Sequence, residues 1–253
     1  MLHTNRARAE SFGEDARLYH RVRPRYPAAM FDHLLGGATP TVLDVGCGTG
    51  IAAQLLIERG CPVLGVEPDE RMAAVARENG VDVEVGHIER WEARGRTFEL
   101  VTSGQAWHWV EPRAGFPRAA AALADGGRIA LFWNFAHADE PVASALEDVY
   151  DRLMPQVRHA SMMLGGNHTE HVRIATEMAQ SGLFGEPQIS EWKWRDEFTT
   201  ERWVEQARTQ SNHRTLPTES LDVLLDAVAV AIDSHGGAVG VTYVTRLIEA
   251  RKA

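Results

Sequence analysis

Three glycines at every second position, Gly46, Gly48 and Gly50, follow a short apolar run in TVLDVGCGTG, with Asp44 just before them and Cys47 between the first two. Alternating glycines neither extend a strand nor begin a good helix, so the loop suits a ligand that must approach the backbone closely. About twenty residues on, Glu67 ends the strand-like run VLGVE, where a carboxylate at a strand end can hold ribose hydroxyls. The nicotinamide fingerprint G-x-G-x-x-G is not met, because Ile51 follows Gly50. Farther along, the segment SGQAWHW carries Ser103, Gln105, Trp107, His108 and Trp109. His108 is the candidate base there, the alternative being a structural histidine at a helix start. Tyr19 and Tyr26 offer aromatic faces that would attract a cation. The eleven histidines show no metal-ligand spacing, and Cys47 and Cys61 make neither a disulfide framework nor a zinc pattern, so no metal is expected.

These residues need elements to hold them. From Thr41 to Phe135 apolar runs alternate with helical patterns: TVLDV, IAAQLLIERG, CPVLGVE, PDERMAAVARENG, VDVEV, FELVTS, RAGFPRAAAALADGG and RIALFWNF. Strand–helix alternation of this kind predicts a parallel sheet covered on both faces. Arg6 to Leu35 reads as a helical arm broken by RPRYP. Ala136 to Ser181 reads as largely helical with a break at LGGNHTE, and PQISEWKWRDEF as a late strand. A helix TERWVEQARTQ follows, then a second in which Leu221, Leu224, Leu225, Val228 and Ile232 form one stripe, and AVGVTYVTRLIEAR closes the chain as a strand. The expected fold is an α/β, Rossmann-like, doubly wound and mostly parallel sheet with helical cover and an antiparallel terminal strand. It is expected to be one domain over 1–253: an arm (1–38), a cofactor-binding core (39–135), a substrate cover (136–217), and a terminal helix and strand (218–253).

Composition bounds the partners. The 253 residues carry a net charge of −9, which argues against nucleic acid. The N-terminus lacks the apolar core of a signal peptide and no run is long enough to span a membrane, so a soluble cytoplasmic monomer or homodimer is expected.

The glycine loop, the strand end GVEP, FELVTSGQAWHW and LADGGRIALFWN together resemble class I S-adenosylmethionine-dependent methyltransferases. With YHRVRPRYP and VTYVTRLIEARK, the likeness narrows to a small-molecule branch that includes trans-aconitate methyltransferase-like enzymes. The resemblance implies S-adenosylmethionine as cofactor and S-adenosylhomocysteine as product. It implies that Gly46, Cys47, Gly48 and Gly50 approach the methionyl part and ribose, that Asp44 holds the ammonium group, and that Glu67, beside Pro68, takes the ribose hydroxyls. Met72 would lie on the adenine face, unless it is ordinary core, and His87 with Ile88 would border the adenine edge. Ser103 and Gln105 would face the methyl group, and Tyr19, Tyr26, Trp107 and Trp109 would bound the acceptor, unless the two tryptophans are core. Two of Arg21, Arg23, Arg25, Arg173, Arg208 and Arg214 would suffice to clamp a carboxylate. His20, His168 and His213 read as surface residues of the cover. The expected acceptor is a small molecule methylated on carboxylate or hydroxyl oxygen. The alternatives are nitrogen methylation, a nicotinamide-dependent oxidoreductase, and a non-catalytic cofactor-binding protein.

Overall fold

The computed structural model describes residues 11–155 and 170–253. The arm is a 3-10 turn (Ser11–Asp15), helix α1 (Ala16–Val22) and helix α2 (Ala28–Leu35), with the RPRYP segment extended between the helices. Then follow β1 (Val42–Val45), α3 (Ile51–Ile57), β2 (Val63–Glu67), α4 (Glu70–Glu78), β3 (Asp82–Val85), β4 (Phe98–Gly104), α5 (Pro112–Ala122) and β5 (Leu123–Ala138). The rest comprises α6 (Val142–Leu153), α7 (Glu170–Gln180), β6 (Gln188–Thr199), α8 (Thr200–Arg208), α9 (Thr218–Asp233) and β7 (Ala238–Arg251).

One seven-stranded sheet has the order β3-β2-β1-β4-β5-β7-β6. The first five strands in that order pair in parallel, and β7 is antiparallel to both β5 and β6. All four residues of β1 are buried, as a central strand with helices on both faces requires. Asp69 starts α4 by accepting the Arg71 backbone N–H at 2.9 Å, and Asn79 closes the helix before a left-handed Gly80.

Two boundaries differ from expectation. The helical pattern after Arg113 stops at Ala122, and Leu123 already pairs with Phe98, since ADGG is too rich in turn residues to stay helical. β5 then outruns RIALFWNF to Ala138, because antiparallel pairing with β7 continues as far as Ala138 opposite Val241. His168 and most of the LGGNHTE break lie outside the described residues.

The core has separate parts. Leu43, Val101, Trp107, Phe116, Ile129, Trp133, Ile174 and Met178 pack on one face of the sheet. Met30, Phe31, Leu34, Val42, Leu56 and Phe132 pack on the other, under α2 and α3. A third cluster, including Tyr150, Phe198, Trp203, Leu224, Val228 and Tyr243, binds α6, α8 and α9 to the β6–β7 edge. No helix among the described residues is long and apolar enough to cross a membrane.

Candidate active site

The sheet order reverses between β1 and β4, so the crevice at the carboxyl ends of these strands is where a ligand fits between diverging loops. The glycine loop leaves β1 there, with φ of 67° at Gly46, 58° at Gly48 and 86° at Gly50. All three lie in the left-handed region that favours glycine. Their neighbours differ. A Cβ on Gly46 would fall 2.5 Å from Ala106 Cβ, and one on Gly50 would fall 2.9 Å from Val81 Cγ2. Only Gly48 has room in front of it, its nearest neighbour being Met72 Cε at 3.6 Å. Packing within the protein therefore demands two of the glycines, and Gly48 presents open backbone.

Two carboxylates frame the loop. Asp44 is buried; Oδ1 accepts the Thr102 hydroxyl at 2.8 Å and Oδ2 has no hydrogen-bond partner. Burial pushes its pKa up to about 7, against the lowering effect of Thr102. Glu67 is also buried, with Oε2 accepting Gly48 N–H at 2.9 Å and Oε1 accepting Asp69 N–H at 3.0 Å. Burial raises its pKa to about 7 as well, only partly offset by those two N–H bonds. An acid with a bare oxygen in a buried site suits a cationic partner.

A cavity of about 40 Å³ remains beside Asp44, lined by Tyr19, Tyr26, the loop from Gly46 to Thr49, and Gln105 among others. It has room for water and not for a nucleoside. The arm narrows it: Ala16 and Tyr19 pack on Met72 and Val75, and the Tyr26 ring meets Phe132 edge-on at 4.8 Å. Burial holds the Tyr26 hydroxyl well above its ordinary pKa, so it stays a donor. Burial likewise pushes the Cys47 thiol up, which suits a small loop residue and not a nucleophile.

The segment after β4 divides. Gln105 has a left-handed φ of 55°, donates from Nε2 to Asn134 O at 3.2 Å, and leaves a buried Oε1 without a hydrogen-bond partner. A non-glycine residue held so stores backbone strain at the cavity wall. Ser103 is spent on structure, its hydroxyl donating to Val45 O at 2.8 Å. Trp107, expected to bound the acceptor, is instead core: it is buried with its ring 5.1 Å from Phe116, because the 3-10 turn Trp107–Trp109 aims it at α5. His108 accepts the Trp133 indole N–H at Nδ1, 3.1 Å away, and Trp109 lies against the His108 ring at 5.0 Å. Neither residue lines the cavity. Around the expected adenine position, Met72 and Ile88 are buried, His87 is half-buried and Pro68 is exposed.

The arginines sort themselves. Arg21, Arg173, Arg208 and Arg214 pair with Glu205, Glu177, Asp222 and Glu14. Arg23 stacks over the Tyr19 ring at 4.6 Å and donates to Thr209 O at 2.7 Å. Behind it lies a polar run the sequence reading missed, Thr209 to His213, every residue of it buried. His213 is no surface residue: the Tyr150 hydroxyl lies 2.8 Å from its Nε2, and burial with Arg23 nearby lowers its pKa to about 4. Asn134, also missed, donates to Arg25 O and accepts from Thr245. Its signal was a lone amide inside RIALFWNF. Among the described residues no group of His, Cys, Asp and Glu is placed to hold a metal ion.

Residues 42–127 match a family model described as a methyltransferase domain. An uncharacterized methyltransferase of Mycobacterium tuberculosis, Rv3342, is 39% identical over 126 residues, which is 49% of this chain and 52% of that protein. A trans-aconitate 2-methyltransferase of Mycolicibacterium gilvum is 33% identical over 93 residues, 36% of this chain and 35% of that protein. The chain thus spans about half the length, or less, of these curated relatives. A solved structure from Anaeromyxobacter dehalogenans, provisionally described as a type II methyltransferase, superposes with a TM-score of 0.65 at 21% identity. That match covers 90% of this chain and 97% of the other, and it shows a shared fold. From β1 to the start of β5 the chain is similar in sequence to methyltransferase domains, and over nine-tenths of its length it shares the fold of that solved structure.

Proposed function

We propose that the chain binds S-adenosylmethionine at the glycine loop and directs its methyl group to oxygen of a small-molecule acceptor. The observation that carries this reading is the buried Asp44, whose Oδ2 has no hydrogen-bond partner and which lines a cavity with Gly46, Gly48, Tyr19 and Tyr26. An ammonium group satisfies that oxygen, and tyrosine faces suit a sulfonium. When bound, S-adenosylmethionine supplies an electrophilic methyl group on a cationic sulfur. The chain supplies the rest. Glu67 uses two of the roughly four acceptor positions of its carboxylate on Gly48 and Asp69, leaving capacity for ribose hydroxyls. Gly48 lets the ligand reach the backbone, and Met72 with Ile88 gives an apolar border for adenine. Tyr26, Gln105 and the closed arm exclude water and align the acceptor, which is where catalysis of an in-line displacement is gained.

Oxygen of a carboxylate is the favoured acceptor. His108 uses its Nδ1 lone pair on Trp133, so the neutral ring carries its proton on Nε2 and is set to donate, not to abstract. A carboxylate needs no base, and one relative bears the name trans-aconitate 2-methyltransferase. The experiment is calorimetry with S-adenosylhomocysteine, followed by methyl-transfer assays over carboxylic acids, phenols and amines. Absence of binding overturns the cofactor assignment, and transfer confined to amines overturns the acceptor.

A further inference from the structure

An imidazole of the arm touches the glycine loop. His20, on α1, places Nδ1 3.0 Å from the Thr49 hydroxyl. The Asn79 amide nitrogen lies 3.2 Å from the same Nδ1 and also donates to Thr49 O at 3.1 Å, which fixes the orientation of that amide. On the other side, Arg25 Nη2 lies 3.3 Å from His20 Nε2. The ring therefore meets donors from Asn79 and Arg25, and Thr49 supplies the acceptor. A neutral imidazole satisfies this set, with one N–H for Thr49 and one lone pair for a donor. An imidazolium has no lone pair and would turn an N–H toward a guanidinium.

We propose that His20 is the positioning residue that latches the arm onto the glycine loop, and that it latches only as the neutral imidazole, so that a proton on His20 releases Tyr19 and Tyr26 from the cavity. A second anchor is steric. Gly13 sits so close over α4 that a Cβ there would fall 2.1 Å from Asp69 Oδ2 and 2.6 Å from Arg71 Nε. The surrounding carboxylates are engaged elsewhere: Glu78 of α4 pairs with Arg17 at 2.6 Å, Asp69 pairs with Arg71 at 2.7 Å, and Glu58 after α3 acts on Arg25. Desolvation and then Arg25 lower the His20 pKa from 6.5, against a hydrogen bond to the Thr49 backbone. A lowered histidine pKa means that closure is fully favoured above 6.5 and weakens as pH falls through the range below it.

The name of the cavity's ligand rests on the proposed function; the latch does not, and it can be measured without ligand. Hydrogen exchange of the full chain, corrected for intrinsic rates, is followed over residues 13–22 at about pH 7.5 and about pH 5. The wild type is expected to lose about tenfold in protection at the lower pH, with β1 and β4 unchanged. His20→Asn can donate to Thr49 and accept from Arg25 but does not titrate, so it should stay protected at both. Gly13→Ala should be unprotected at both while its Tm stays near that of the wild type. Equal wild-type protection at both pH values overturns the latch, as does a His20→Asn arm that opens with acid or stands open throughout. S-Adenosylhomocysteine calorimetry on the same proteins separates the two readings. An intact switch with no binding to any of them rejects the cofactor and leaves the latch standing.

Discussion

Glu67 is both a ligand candidate and a structural clasp, and the two roles separate by substitution. Glu67→Ala removes the acceptor for the Gly48 and Asp69 N–H groups, so it should lower Tm as well as weaken S-adenosylmethionine binding at least tenfold. Glu67→Gln keeps an acceptor and should recover much of the Tm but less of the affinity. Calorimetry and thermal melts on the pair check this, and unchanged affinity in both would remove Glu67 from the site. His108 gives the second prediction at this scale. Loss of a true base costs roughly 10²–10⁴ in turnover. With Nδ1 committed to Trp133, His108→Ala should cost less than about tenfold on a carboxylate acceptor, which initial rates will show. Asp44 gives a pH prediction. Its folded-state pKa is raised to about 7 by burial, so the folded protein holds the proton more tightly than the unfolded chain. That contribution to stability is full below the unfolded value near 3.8 and is lost as pH rises through about 7. Without ligand, the Tm difference between wild type and Asp44→Asn should therefore move against the wild type from pH 5 to 8. Cofactor affinity of the wild type should rise over the same range, because its cation needs the ionised acid.

At the scale of the element, the glycine loop is two packing glycines around one open one. Gly46→Val forces a side chain onto Ala106 in a left-handed conformation and should destabilise the protein by roughly 2 kcal/mol or more. Gly48→Val meets only the flexible end of Met72, so it should fold with a smaller loss and yet fail to bind S-adenosylhomocysteine. A Gly48→Val protein that binds normally would show that the open face points elsewhere. The three glycines look identical in TVLDVGCGTG. They differ because β1 lies between β2 and β4, which brings Ala106 and Val81 against the first and the third.

The candidate site and the β6–β7 edge rest on separate cores. The glycine loop rests on the clusters built around β1 and β4, whereas Trp203, Phe198 and Tyr150 belong to the cluster at the β6–β7 edge. Trp203→Ala should cost roughly 3–5 kcal/mol, a typical loss for a large aromatic in a core. Measured below its lowered Tm, it should leave S-adenosylhomocysteine affinity within about twofold, since the change lies outside the elements of the proposed cofactor site. A parallel collapse of affinity would show that the β6–β7 edge shapes the cofactor site directly.

What the chain determines by itself is whatever depends on local pattern. The apolar runs and helical stripes put every main strand near its place, and the left-handed loop at Gly46–Gly50 could be filled only by residues free to adopt positive φ. The acids Asp44 and Glu67 were legible because strand ends aim their side chains at the crevice of a parallel sheet. What depends on distant partners was not legible. Trp107 and Trp109 read alike, yet the turn after β4 sends one into the core and leaves the other half-buried. His20 and His213 read as surface histidines until the arm folds over Thr49 and the α8 end folds against Tyr150. Thr49 and Tyr150, the partners they meet there, lie 29 and 63 positions away, and no local periodicity carries that information.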